Sequence, residues 1–223
     1  GLLCTELLFA KQRASLPNKG HIADTRRYDS IHKMALAALG LCDGPLVPIG
    51  LSMGGYVALE MARLAPQRMA AMALLSSNCR DDSAENQRQR QQAIALAKNA
   101  GFQGVTRHLM PRLLSEAALQ DEAIIADVLS MAADIGRNGF VQQQTAIMGR
   151  RAQHDTLASF AGPVLVLCGS DDVLTPPNMS VEMAGIAPQA ELCLLNGVGH
   201  LSSIEAPEAV FNALESLFER AVD

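Results

Sequence analysis

Tryptophan is absent from this chain of 223 residues, and aromatic residues together make up only 4% of it. The core has to be filled by aliphatic side chains and ten methionines, within an apolar content of 49%. Methionine packs adaptably, so a Met-rich pocket would accept varied apolar ligands. Basic residues are outnumbered, with 18 Lys and Arg against 23 Asp and Glu and a net charge of −5. No basic stripe with interleaved aromatics is present, so the electrostatic footprint of a nucleic-acid binder is missing and no such partner is expected. The five cysteines stand at 4, 42, 79, 168 and 193, with no C-x-x-C pair. An odd, scattered set predicts neither a disulfide framework nor a zinc site. Cys168 and Cys193 lie in apolar runs and read as small buried hydrophobes. There is no run of 18 apolar residues and no charged-then-apolar leader, so no membrane partner is expected and a cytoplasmic setting is.

What is present has a clear rhythm. Five short apolar runs, at Gly20–Asp24, Pro45–Ile49, Met69–Leu75, Pro163–Cys168 and Ala190–Leu195, are bounded by turn residues. Helical patterns at Ser30–Leu39, Gly54–Ala65, Asn178–Ile186 and Pro207–Val222 separate or follow them. Strands alternating with helices predict an α/β fold whose mostly parallel, doubly wound sheet is covered on both faces. The unbroken apolar run Val164–Leu167 fits a strand buried on both sides. Pro48 is awkward, because it takes a hydrogen bond out of a strand that ought to be central.

From Asn78 to Phe160 no strand is legible. Ala, Gln, Arg and Leu dominate, with breaks at Asn99–Gly101, Pro111, Gly136–Gly139 and Gly149. This predicts a helical cap over residues 80–155, inserted before the Pro163–Cys168 strand into a core of residues 1–79 and 156–223. The charged stretch Arg80–Arg90 reads as a solvated helix face.

The strongest local pattern is Gly50-Leu51-Ser52-Met53-Gly54, between an apolar run and a helix that Pro66 closes. A sharp strand-to-helix turn lifts a serine hydroxyl clear of a sheet and needs glycine two positions either side. The following helix aims its N-terminal amides at the same place. A serine nucleophile needs a base and an acid to orient it. His200, in Gly197-Val198-Gly199-His200 directly after the last apolar run, is the candidate base. His21, His32, His108 and His154 have no such position and read as structural or surface residues. Asp171 and Asp172 follow the Pro163–Cys168 strand in the same manner, and Asp172 is the preferred acid. The chain order Ser, Asp, His matches that expected for this constellation.

Together GLSMGGYVALEMA, GSDDVLTPP and GVGHLSSIEAPEAV resemble the α/β-hydrolase superfamily, in its capped serine esterase and lactonase-like branch. The resemblance implies a Gly-x-x-Asp-x-x-x-Pro turn running from Gly169 to Pro176, which makes Asp172 the acid. It also implies an oxyanion hole from the backbone amides of Met53 and Leu2. The departure lies at the N-terminus, where Gly1-Leu2-Leu3-Cys4 looks like the continuation of a His-Gly turn that ends the family's third strand. By this resemblance the family's three preceding strands are not in this sequence, and one of them would stand between Gly20–Asp24 and Pro45–Ile49. The resemblance therefore leaves open either further residues in the natural protein or Leu2–Phe9 as a replacement strand.

The activity expected is hydrolysis of an ester-like bond in a small apolar substrate, with no metal or organic cofactor. Leu109, Met110, Met131, Phe140 and Met148 of the cap are the candidate pocket walls. Competing expectations are C–C bond or enol-lactone hydrolysis on the same residues, or a catalytically silent binding protein.

Overall fold

The structure is a computed structural model that describes residues 1–16, 18–99, 102 and 104–222. It begins with a tight turn and a 3-10 segment, Glu6–Phe9, that runs into α1 (Ala10–Ser15). Then follow α2 (Ile31–Leu39), β1 (Ile49–Leu51), α3 (Met53–Leu64), β2 (Met72–Leu75), α4 (Ala84–Asn99), α5 (Glu122–Met148) and α6 (His154–Ser159). The chain closes with β3 (Val164–Gly169), α7 (Pro177–Ile186), β4 (Ala190–Leu195), α8 (Ser202–Glu205) and α9 (Pro207–Arg220).

The four strands among the described residues form one parallel sheet in the order β1-β2-β3-β4. Side-chain alternation splits the core in two. Met72, Leu74, Val164 and Val166 face one cluster, shared with α2, α3 and α7. Ala73, Leu75, Leu165 and Leu167 face the other, shared with α9. Both faces of β2 and β3 are buried, which is why their sequences read as unbroken apolar runs. Strand β4 is an edge, with Leu192 and Leu194 partly exposed and Cys193 half-buried, so only Cys168 is the fully buried thiol expected.

Two predicted strands do not form. Gly20–Asp24 is irregular and has no ladder partner, and Ile22 is 39% exposed. A strand draws its stability from cross-strand pairs, and apolar composition alone does not supply them. Nor is Leu2–Phe9 a replacement strand. Cys4 N–H bonds Gly1 C=O, Leu3 turns to φ 57°, and Thr5 caps the 3-10 segment through Leu7 N–H. These local hydrogen bonds, with Leu3 N–H taken by Gln143 and Leu8 C=O by Ser203, occupy groups a ladder would have used.

Pro48 shortens the second run as its missing N–H requires. The regular strand starts at Ile49, but Pro48 C=O still accepts from Ala73, and Leu46 makes an isolated bridge to Met69. Between β2 and β3 the described residues hold α4, α5, α6 and two 3-10 segments, Arg107–Arg112 and Ala118–Gln120, and no strand. The long α5 is interrupted at Gly136, whose φ of 64° and ψ of −178° only glycine adopts freely. Gly149 ends it. Of the predicted break at Asn99–Gly101, Ala100 and Gly101 lie outside the described residues.

The stretch Arg80–Arg90 is not simply a solvated face. Asp82 is buried and its two oxygens are gripped by Arg90 at 2.8 Å and Arg150 at 2.6 Å. Arg90 continues to Gln144 of α5, and Arg150 lies 4.4 Å from the centroid of the Tyr56 ring on α3. None of the described helices is long and apolar enough to cross a membrane.

Candidate active site

Ser52 sits where β1 turns into α3, with φ 55° and ψ −116°. That left-handed conformation is strained for a residue with a Cβ and survives because the surroundings fix it. Ser52 N–H bonds Leu75 C=O, while Ser52 C=O accepts from Gly55 N–H and from Ser77 Oγ. Of the nearby glycines two are steric necessities: a methyl on Gly50 would strike the Gly54 carbonyl, and one on Gly55 would strike Ser77 Oγ, whereas Gly54, also expected to need glycine, has room for a methyl. Ser52 is half-exposed, whereas Met53 beside it is buried beneath the helix start.

Asp172 and His200 meet from two loops that leave β3 and β4 at the same end of the sheet. Asp172 Oδ2 lies 2.8 Å from His200 Nδ1, and both residues are almost completely buried. Leu174 N–H and Thr175 N–H donate to Asp172 Oδ1, and Thr175 Oγ1 donates to Oδ2 at 2.8 Å. Burial pushes the Asp172 carboxyl up, but its hydrogen bond to His200, the charge of that ring and the bonds from Thr175 outweigh it. The net shift is below the ordinary carboxylate value. An ionised Asp172 has only acceptors, so Nδ1 carries the shared proton whether the ring is charged or neutral, and in the neutral ring Nε2 is the basic nitrogen. Asp171 is exposed and occupied by the Ser170 hydroxyl at 2.7 Å.

Close backbone packing holds the His200 loop. A methyl on Gly169 would collide with the carbonyls of Val198 and Gly199. His200 N–H and Leu201 N–H both donate to Leu113 C=O, in the stretch between β2 and β3. Glu205 accepts from Gly199, Leu201 and Ser115 N–H groups and so ties loop and stretch together.

Leu2 packs against the apolar cluster that contains Met53, and Gly1 N would lie 3.9 Å from a methyl on Gly54. Among the described residues neither Leu2 N–H nor Met53 N–H is spent on an internal hydrogen bond. Of the predicted wall residues, Met110 and Met131 are buried in the cluster that contains Leu51, Leu75 and Leu201. Phe140 packs with Leu2, Leu3 and Phe102, its ring centroid 5.1 Å from that of Phe102. Leu109 is 38% exposed and Met148 is half-buried outside these clusters.

Sequence reasoning missed Thr175, Glu205 and Gln143, whose buried side chain accepts from Leu3 N–H. The first two lie inside recognised motifs, but nothing in the Gln142-Gln143-Gln144 run sets Gln143 apart. It also missed a gathering of Cys79, His154 and Glu182, whose ligand atoms lie within 4.8 Å of one another. Arg80 already ion-pairs with Glu182, and burial, with Glu182 adding to it, pushes the Cys79 thiol up to about 11. As it stands that group is a salt bridge beside a neutral thiol, not a prepared ligand set.

Comparison with known proteins gives a consistent result. Residues 25–207 match the family model described as the alpha/beta hydrolase fold. A pimeloyl-[acyl-carrier protein] methyl ester esterase of Neisseria meningitidis is 27% identical over 211 residues, covering 93% of this chain and 82% of that protein. BpoC of Mycobacterium tuberculosis, a candidate non-heme bromoperoxidase, is 29% identical over 180 residues, covering 78% of this chain and 68% of its own. The solved structure of a thermophilic esterase from Thermogutta terrifontis superposes with a TM-score of 0.89 at 26% identity, over 99% of this chain and 88% of that one.

Proposed function

The chain belongs to the α/β-hydrolase fold family, and on that premise we propose that it is a serine hydrolase cleaving an ester-like bond of a small apolar substrate. The observation that carries the reading is the buried 2.8 Å contact between Asp172 and His200, on loops leaving the same sheet edge as the strained Ser52. Ser52 Oγ attacks the carbonyl carbon while His200 Nε2 takes its proton. Asp172 holds the imidazole in the required tautomer and stabilises the imidazolium. The amides of Met53 and Leu2 donate to the oxyanion, with the N-terminus of α3 adding a favourable field. Collapse expels the alcohol, protonated by His200, and water then repeats the sequence on the acyl-enzyme.

Residues 80–155 serve as a cap over this centre, and Leu109, Met110, Met131, Phe140 and Met148 contribute the walls of the acyl pocket. The esterase names of relatives align with ester chemistry. A fluorophosphonate probe together with p-nitrophenyl esters of graded chain length tests the proposal. Labelling at Ser52 and turnover are expected, and Ser52→Ala lowers turnover by roughly 10³-fold or more with the melting temperature nearly unchanged. A folded protein that the probe leaves unlabelled is a silent binding protein instead. Labelling without ester turnover, together with lactone opening, moves the substrate class to lactones.

A further inference from the structure

Gln143 lies on α5, 140 positions from Leu3 in the chain, with no solvent exposure. Its side chain is satisfied at both ends. Oε1 accepts Leu3 N–H at 2.9 Å, and Nε2 donates to Thr25 Oγ1 at 3.1 Å. A buried amide tied at both ends has one orientation, because releasing either bond would leave a polar group unpaired away from water.

The group it holds belongs to an unusual turn. Cys4 N–H closes onto Gly1 C=O, which leaves Leu2 and Leu3 as the two central residues, and Leu3 has φ 57°. The third position of such a turn favours glycine, so a leucine there is retained only if its surroundings over-determine it. Two things do so. The Leu3 side chain is buried among Ala132, Ile135 and Phe140, and Gln143 pins its N–H. The consequence falls on the neighbouring peptide. Gly1 C=O is committed to Cys4, and in a trans peptide the N–H lies opposite its carbonyl, so the direction of Leu2 N–H is set by the same turn.

We propose that Gln143 is a positioning residue for the oxyanion hole, holding the Gly1–Cys4 turn in the strained form that aims the Leu2 amide at charge developing beside Ser52. The inference rests on the serine-hydrolase reading above. It makes the stretch between β2 and β3 more than a cover, since one of its side chains fixes a donor of the core.

The test compares Gln143→Leu, which loses both bonds, with Gln143→Glu. The carboxylate of the second still accepts Leu3 N–H, while the Thr25 hydroxyl turns to donate. Both are assayed with p-nitrophenyl butyrate, with phenylboronic acid as a mimic of the tetrahedral intermediate, and with a fluorophosphonate run to completion to count functional sites. Gln143→Leu is expected to lower kcat about 10- to 100-fold, less than or comparable to deleting an oxyanion donor outright. KM and the labelled fraction stay near those of the unmodified protein, and boronate affinity falls in step with kcat. Gln143→Glu recovers most of kcat. Near-normal kcat in Gln143→Leu, a loss explained by fewer labelled sites, or no recovery in Gln143→Glu overturns the proposal. Failure of the underlying reading is distinct, because the unmodified protein would then show no Ser52-dependent turnover.

Discussion

The Asp172 carboxylate accepts four hydrogen bonds from nitrogen and oxygen donors, and only one of them comes from His200. The other three keep the carboxylate fixed when the ring changes protonation state, so the ring never has to find its partner. Asp172→Asn retains much of that frame but puts an N–H where an acceptor is needed, forcing the wrong tautomer. Its kcat on p-nitrophenyl butyrate is expected to fall by roughly 10³-fold or more. Asp171→Asn, one residue away, is expected to leave kcat nearly unchanged, since that carboxylate faces solvent and Ser170. A comparable loss in both variants would reassign the acid.

At the scale of elements, the contacts that matter join α4 and α5 to the core. Asp82 receives Arg90 of α4 on one oxygen and Arg150, just after α5, on the other, and its side chain is fully buried. Removing a buried anion leaves two guanidinium groups without their counter-charge. Asp82→Ala is therefore expected to cost about 3 kcal/mol. The check is a lower urea midpoint, with the slope of the transition nearly unchanged if the whole chain still unfolds as one unit. A reduced slope would instead show that α4 and α5 have come away on their own. The same latch accounts for Asp82 and Arg90, whereas Glu85 and Arg88 of the same stretch pair in solvent as a one-dimensional reading expects.

For the whole molecule, acid stability is set by carboxylates held ionised in the folded state. Glu60 on α3 is almost fully buried and gathers Arg63, His32 and Gln153 around it, so it binds α2, α3 and the start of α6 together. Burial raises its pKa, but the bonds from Arg63, His32 and Gln153 more than reverse this, lowering it from 4.5 to about 2. The unfolded chain takes up this proton first as pH falls. The stability it contributes is complete above 4.5 and is lost as pH falls toward about 2. The lowered Asp172 adds in the same direction. Glu60→Gln should flatten the acid limb of a stability-versus-pH curve and lower stability at neutral pH by about 1–3 kcal/mol. A curve parallel to that of the unmodified protein across this range would show that Glu60 contributes nothing to acid sensitivity.

The local sequence determined those parts of the protein that depend on neighbours in the chain. The turn at Ser52 follows from Gly50 and Gly55, because a side chain at either would strike the Gly54 carbonyl or Ser77 where the strand folds back against the helix. The loops carrying Asp172 and His200 follow from turn residues after apolar runs, and both faces of β3 are buried as its unbroken composition requires. Other features were decided only by the tertiary structure. Gly20–Asp24 has strand-like composition but no partner, and Leu2–Phe9 divides its hydrogen bonds between its own turn and distant side chains instead of joining the sheet. The same holds for Gln143 on Leu3, Glu205 on Ser115 and Arg150 on Asp82, pairs separated by 140, 90 and 68 positions. A polar side chain looks the same in sequence whether it faces water or a buried partner. Only the closing of the chain removes the water and makes that partner necessary.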